Sequence, residues 1–226
     1  MKMTQSGFPE DVLTEPEDVD PDTLANLGPL RGLAGIWEGT RGLDINPGPG
    51  ATRQPFHERI ELQPLDPQTN GPQLFYGLAY VARVVKPGEV ETYHHQVGHW
   101  LWEPATGTVI QTLSIPRAQT ALATGSATVD ARSFELTAVR GSTVNGICSG
   151  PFLEYGFRTD SYRIAVTILD DDHWAYEEET VLKIHARDEP FHHIDRNTLT
   201  RIAAPTPNPL MRGKGAGAAP EGGKDA

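Results

Sequence analysis

Long runs rich in Val, Ile, Thr, Tyr, Phe and Trp follow one another along most of this chain, separated by turns of a few residues. That arrangement leaves few folds open. Alternation and β-branched or aromatic enrichment mark each run as a strand. The runs cover 36–43, 53–64, 73–86, 91–103, 107–115, 119–125, 128–139, 153–169, 173–185 and 190–203. Lys86-Pro87-Gly88, Pro104-Ala105-Thr106-Gly107 and Asp170-Asp171-Asp172 supply turns between them. Strands joined this tightly pair antiparallel with their sequence neighbours. A flat sheet of about ten such strands is strained and leaves two open edges, which closure removes. The expected fold is therefore all-β, a closed antiparallel up-and-down β-barrel of about ten strands with room inside for a ligand. A two-sheet sandwich with a filled core is the alternative.

The ends of the chain differ from its middle. Residues 1–20 are acidic and punctuated by Pro, and 204–226 are rich in Pro, Gly and Ala. Both compositions suit disorder. The ligand-binding barrel domain is assigned to 21–203, where roughly 175 residues are enough for one domain. Just inside it, Asp20-Pro21-Asp22 offers a cap, and Leu24, Leu27, Leu30 and Leu33 recur at helical spacing. Gly28 and Pro29 limit this N-terminal helix to one or two turns.

Charge and cysteine content narrow the function. A net charge of −11 without a basic run argues against nucleic acid and against an anionic membrane surface. Cys148 is the single cysteine, so an intrachain disulfide and a Cys-rich zinc site are both excluded. The N-terminal residues lack the apolar core of a signal peptide and no run of about 20 apolar residues occurs, so the expected location is cytoplasmic. No phosphate-binding Gly loop, Gly-x-Ser-x-Gly elbow or His-Glu-x-x-His motif is present.

The histidines are the candidates for chemistry. Six of the eight fall in two clusters, His94, His95 and His99, and His185, His192 and His193. Neutral imidazole is the commonest metal ligand. Strand alternation puts Phe191, His193, Asp195, Asn197 and Leu199 on one face, which suits a partly polar cavity. The other face carries His192, Ile194, Arg196, Thr198 and Thr200, which suits solvent. In the first cluster His94 shares a face with Gln96, Gly98, Trp100 and Trp102. Glu177, Glu178 and Glu179 read as a solvated strand.

Several short motifs carry a family likeness. Gly35-Ile36-Trp37-Glu38-Gly39 follows a short leucine-bearing segment, and its glycines allow a sharp bend while Trp37 plugs one barrel end. Pro55-Phe56-His57-Glu58-Arg59-Ile60, Leu78-Ala79-Tyr80, His94-His95-Gln96-Val97-Gly98 and Ser114-Ile115-Pro116-Arg117 follow in order. Together with a His-bearing last strand, this set resembles the nitrobindin-like haem-binding barrels, calycin-type relatives of fatty-acid-binding proteins, over approximately residues 30–202. The resemblance implies haem b held by a proximal His193, with His94 as a second pocket histidine and Trp37 and Phe191 against the cofactor. It also implies nitric oxide binding and conversion of peroxynitrite to nitrate. From His193 to Leu199 this chain has about one residue more than the family pattern, and His192-His193 replaces a single His. A bulge absorbs the extra residue, or His192 is the iron ligand, or this branch has lost haem. A carrier of a fatty acid or another small hydrophobic molecule and a His-ligated metal enzyme are the alternatives, and pairing into a homodimer is left open.

Overall fold

The computed structural model describes residues 9–47 and 52–215. Its strands are, in chain order, β1 (Gly35–Asn46), β2 (Thr52–Pro64), β3 (Gln68–Asn70), β4 (Gln73–Val85), β5 (Thr92–Glu103) and β6 (Thr108–Ile115). There follow β7 (Gln119–Ser126), β8 (Ser133–Val139), β9 (Ile147–Ser149), β10 (Phe157–Ile168), β11 (His173–Ile184) and β12 (Phe191–Ala203). All pairings are antiparallel, and ten of the strands close into a ring. β1 pairs with β2 on one side and with β12 on the other, and β2 pairs with β4. From β4 the ring runs through β5, β6, β7, β8, β10 and β11 back to β12. The short strands β3 and β9 are appended to β4 and β7. The expected closed barrel is thus observed, and the sandwich is excluded because the ring is continuous.

Two expected strands were drawn too long. Residues 128–132 form a turn, in which the Ala131 N–H donates to the Thr128 carbonyl at 3.1 Å. Residues 151–156 form a helix, α2 (Pro151–Gly156), which opens with Pro near its first turn. The expected strand 153–169 overlaps this helix from Leu153 to Gly156. The adjacent three-residue strands β3 and β9 are too short to show alternation.

One end of the barrel is sealed by the leucine-bearing segment. Asp22 caps α1 (Thr23–Asn26) by accepting from the Ala25 N–H at 3.1 Å. A 3₁₀ turn over Gly28–Leu33 follows, as Gly28 and Pro29 require. Leu27, Leu30, Leu33 and Trp37 have no solvent exposure and pack with Leu78, Trp102 and Val109. The Trp37 indole donates to the Leu33 carbonyl at 2.7 Å, meets Trp174 edge-on, and carries the Arg201 guanidinium 4.2 Å from its ring centre. Each fully buried leucine contributes about 1.5–3 kcal/mol.

Beyond β12 the described chain stays on the barrel. Asn208 is fully buried at the sealed end, where its Nδ2 donates to Pro21 O at 2.9 Å and Asp66 Oδ1 at 2.7 Å. Its Oδ1 accepts the Thr23 N–H at 3.3 Å, and a short helix α3 (Pro209–Gly215) follows. Composition alone reads everything from 204 as loose, because one well-placed Asn does not show in an average. Residues 1–8 and 216–226, the rest of the two expected tails, lie outside the described residues. Outward faces carry charge pairs such as Arg59–Glu38 at 2.8 Å and Arg163–Glu135 at 2.7 Å. No described helix is long and apolar enough to cross a membrane.

Candidate functional site

The end opposite the leucine plug opens into a cavity of about 650 Å³, within the ~300–1,000 Å³ range of small-molecule sites. The cavity has two unlike walls. Along β4, β5, β6 and β10 it is mostly apolar, with Ala82, Val84, Trp100, Leu113, Ile115 and Ile164. Along β2, β1, β12 and β11 it carries Asp44, Glu58, Glu178, His193 and Asp195. Lys86 and Arg117, from the connections at the open end, are its cations, and α2 lays Phe152 and Leu153 on the rim.

The acidic wall depends on a bulge in β1. Between Gly39 and Gly42 the register with β2 advances by three residues against two, and with β12 by one residue more than its partner between Glu38 and Leu43. One extra residue reverses which face the rest of a strand presents. Trp37 and Gly39 face inward before the bulge; Gly42 and Asp44 do so after it. Both glycines are required, since a Cβ at Gly39 would overlap the Asn197 amide and one at Gly42 the Phe56 ring. Asp44 then lies directly opposite Asp195 on β12, which lies directly opposite Glu178 on β11. Three carboxyl groups therefore stand in one row across adjacent strands, about 4.8 Å apart between strands. Like charges so placed are destabilising.

His193 is set into this row. Its Nε2 donates to Asp44 Oδ1 at 2.9 Å and lies 3.4 Å from Asp195 Oδ2. Asn46 Nδ2 holds the other Asp44 oxygen at 3.4 Å. The Asp44 contact places a proton on Nε2, so the neutral form of the ring has its lone pair on Nδ1. Burial pulls the His193 pKa down, but the Asp44 hydrogen bond and the carboxylates of Asp195, Asp44 and Glu178 outweigh it and raise the value. The Asp195 and Glu178 carboxyls are both pushed up, chiefly by burial.

Below His193 the floor is a polar belt. Glu58 accepts from the Tyr176 hydroxyl at 2.8 Å and from Asn197 Nδ2 at 3.1 Å. Burial still raises its pKa to about 7. Across the barrel the Tyr162 hydroxyl lies 3.0 Å from Glu178 and 2.9 Å from Gln111 Oε1. Tyr80 accepts from Gln96 Nε2 at 2.7 Å and Gln111 Nε2 at 3.4 Å, and Gln96 Oε1 accepts from His94 Nε2 at 3.3 Å. Burial lowers the His94 pKa, so this imidazole is kept neutral while His193 is driven toward charge.

Of the residues singled out in the sequence, His193 and His94 line one cavity. His192 points out of the barrel and bonds Glu179 at 2.6 Å, so it is on the wrong face for a cavity ligand. β12 pairs with β11 in unbroken register from Phe191 to Thr200. No bulge there absorbs the extra residue of the family comparison; the irregularity lies in β1. Trp37 belongs to the sealed end, and Phe191 has inward parity at the first position of β12 but does not line the cavity. Glu178, read as part of a solvated strand, is an interior residue, and Asp44 and Glu58 were not singled out for chemistry at all. Parity alone separates Glu178 from its neighbours but does not say which face is inside.

A model of the THAP4-like, heme-binding beta-barrel domain matches residues 26–201 of the chain. Among solved structures the chain is similar to the crystal structure of Rv2717c from M. tuberculosis. The TM-score is 0.57 and the identity 20%, covering 81% of this chain and 99% of that one. This likeness speaks for the barrel fold. No curated protein sequence gives a significant match.

Proposed function

Since the chain belongs to the family of THAP4-like, heme-binding beta-barrel domains, we propose that its cavity binds ferric haem b with His193 as the iron ligand and His94 on the same cavity. The observation that carries this reading is the placement of His193. It faces a mostly apolar cavity open at one end, with one ring nitrogen held by Asp44 at 2.9 Å and the other without a hydrogen-bond partner among the described residues. Metal-bound imidazoles typically donate their second N–H to a carboxylate or carbonyl, which fixes tautomer and ring orientation. The rest of the lining fits the group as well. A flat apolar macrocycle with a positive metal at its centre matches an apolar wall facing an acidic one, and Lys86 and Arg117 are available to carboxylate substituents. Once bound, the iron would supply nitric oxide binding and the isomerisation of peroxynitrite to nitrate, as the nitrobindin resemblance implies. The chain's own contribution would be to hold the iron by one imidazole, to offer the macrocycle an apolar wall that includes Leu113 and Ile115, and to keep a neutral His94 within the cavity.

Reconstitution with ferric haem tests the assignment. His193→Ala should abolish the Soret band near 400 nm, His94→Ala should shift it while retaining uptake, and His192→Ala should leave it unchanged. A normal Soret band in His193→Ala refutes the ligand.

A second reading has one observation in its favour. Asp44, His193 and Asp195 each offer a donor atom within 4.8 Å of the others, a set that could hold a divalent cation without a porphyrin. Stoichiometric metal in purified protein with no Soret band would select it. The carrier reading has less support, because it gives His193 and the carboxyl row beside it no part in binding.

A further inference from the structure

The cavity has a second bulge, near its mouth on β5. Where β4 advances one residue, from Val84 to Val85, its partner on β5 changes by two, from His94 to Thr92, so Tyr93 is the extra residue. Strict alternation would turn Tyr93 outward, because its neighbour His94 faces in. The bulge lets both side chains line the cavity. Arg117, from the connection between β6 and β7, donates from its guanidinium to the Tyr93 carbonyl at 2.8 Å and ties the bulge in place.

The phenol itself is left over. Each of the other five tyrosines has a partner for its hydroxyl. That of Tyr93 has no hydrogen-bond partner among the described residues. Burial, and after it the Asp44 carboxylate, raise its pKa, so the phenol keeps its proton and remains a donor. From β12 the ring runs through β1, β2 and β4 to β5, which sets Tyr93 across the cavity from His193. A guest held from one side by His193 meets an unused O–H on the other.

We infer that Tyr93 is a ligand-selecting residue of this cavity. It donates a hydrogen bond to a small oxyanion bound across from His193, and Arg117 is the positioning residue that holds it there. The inference rests on the haem reading above and adds to it the side chain that grips the small ligand.

The test is equilibrium binding to full-length protein loaded with ferric haem, followed through the Soret and visible bands. Nitrite and fluoride are the accepting probes, and 1-methylimidazole is a neutral ligand that presents no acceptor once bound. Tyr93→Phe should weaken nitrite and fluoride about tenfold or more, as expected for a hydrogen bond to a charged partner. It should leave 1-methylimidazole within about twofold of wild type, inside the spread of a neutral substitution. Arg117→Ala should lose part of the anion affinity by itself and nothing further when added to Tyr93→Phe, since the two act as one unit. A full additional loss in the double variant would overturn the positioning role of Arg117. Wild-type anion affinities in Tyr93→Phe, or an equal loss for 1-methylimidazole, would overturn the inference while leaving haem binding intact. Failure of the wild type to take up haem would overturn the underlying reading, and the inference with it.

Discussion

At the sealed end of the barrel, Leu27, Leu30, Leu33 and Trp37 are fully buried and the indole N–H has a carbonyl partner. At the open end the same strands carry Asp44, Glu58, Glu178 and Asp195 around a cavity of about 650 Å³. β1 runs through both regions, with Trp37 before its bulge and Asp44 after it. The first region is built to favour the fold and the second accepts a cost against it. Apolar burial without charge stabilises wherever it occurs, whereas aligned carboxyls in a low-polarity wall are tolerated where a ligand can offset them.

The contrast can be broken in three ways. The largest effect belongs to Trp37→Ala, which should lower the unfolding free energy by about 3–5 kcal/mol in denaturant melts, as buried Trp truncations do. A loss of under about 1 kcal/mol would mean that the leucine plug is not a stability centre.

A smaller effect, distinguished by pH, belongs to Glu58→Gln. The folded-state pKa of Glu58 is raised to about 7 from an ordinary value of 4.5. The folded protein therefore binds more protons than the unfolded chain between those values. The stability this provides is full below the ordinary value and is lost as pH rises through about 7, up to about 3 kcal/mol in all. Glu58→Gln should remove that share of the decline, seen as a flatter plot of melting temperature against pH. Trp37→Ala should shift the whole plot downward without flattening it. Equal slopes in wild type and Glu58→Gln would show that Glu58 adds nothing to the decline.

The smallest change is Asn208→Ala. It removes bonds to Pro21, Asp66 and Thr23 and should cost roughly 1–2 kcal/mol, with no change in pH slope. Truncation after residue 215 should then be nearly neutral, whereas truncation after 204 should reproduce the Asn208 loss.

The division of labour was only half legible in the sequence. The strands and the leucine plug announce themselves through periodicity and through Gly-x-Trp, because apolar burial repeats at every turn or second residue. His193 was found because β12 alternates without interruption from Phe191 to Thr200. Asp44 escaped because it lies beyond a bulge, and uninterrupted alternation from Trp37 would have placed Leu43 inward in its stead. The two glycines, Gly39 and Gly42, are the signal that could have located it. Glu58 and Glu178 escaped for another reason. A charged residue on a strand is ordinarily read as solvent-facing, and only the tyrosines and amides contributed by distant strands make an interior carboxyl tolerable.

The contact between Asp44 and His193 joins positions 149 residues apart, across the seam where β12 meets β1. Closing a loop of that length costs about 4 kcal/mol of chain entropy. The strand that completes the ring is thus also the strand that completes the site. A chain still lacking β12 has neither the imidazole nor the middle carboxyl of the row, so cofactor capture waits for the last pairing step of the barrel. The same seam, with like charges facing across it, is where the empty barrel should breathe first, and backbone amides of β1 and β12 near Asp44 should exchange with solvent sooner than those near Trp37. A positively charged guest would act there as a clasp, since whatever binds only the closed barrel stabilises it against opening.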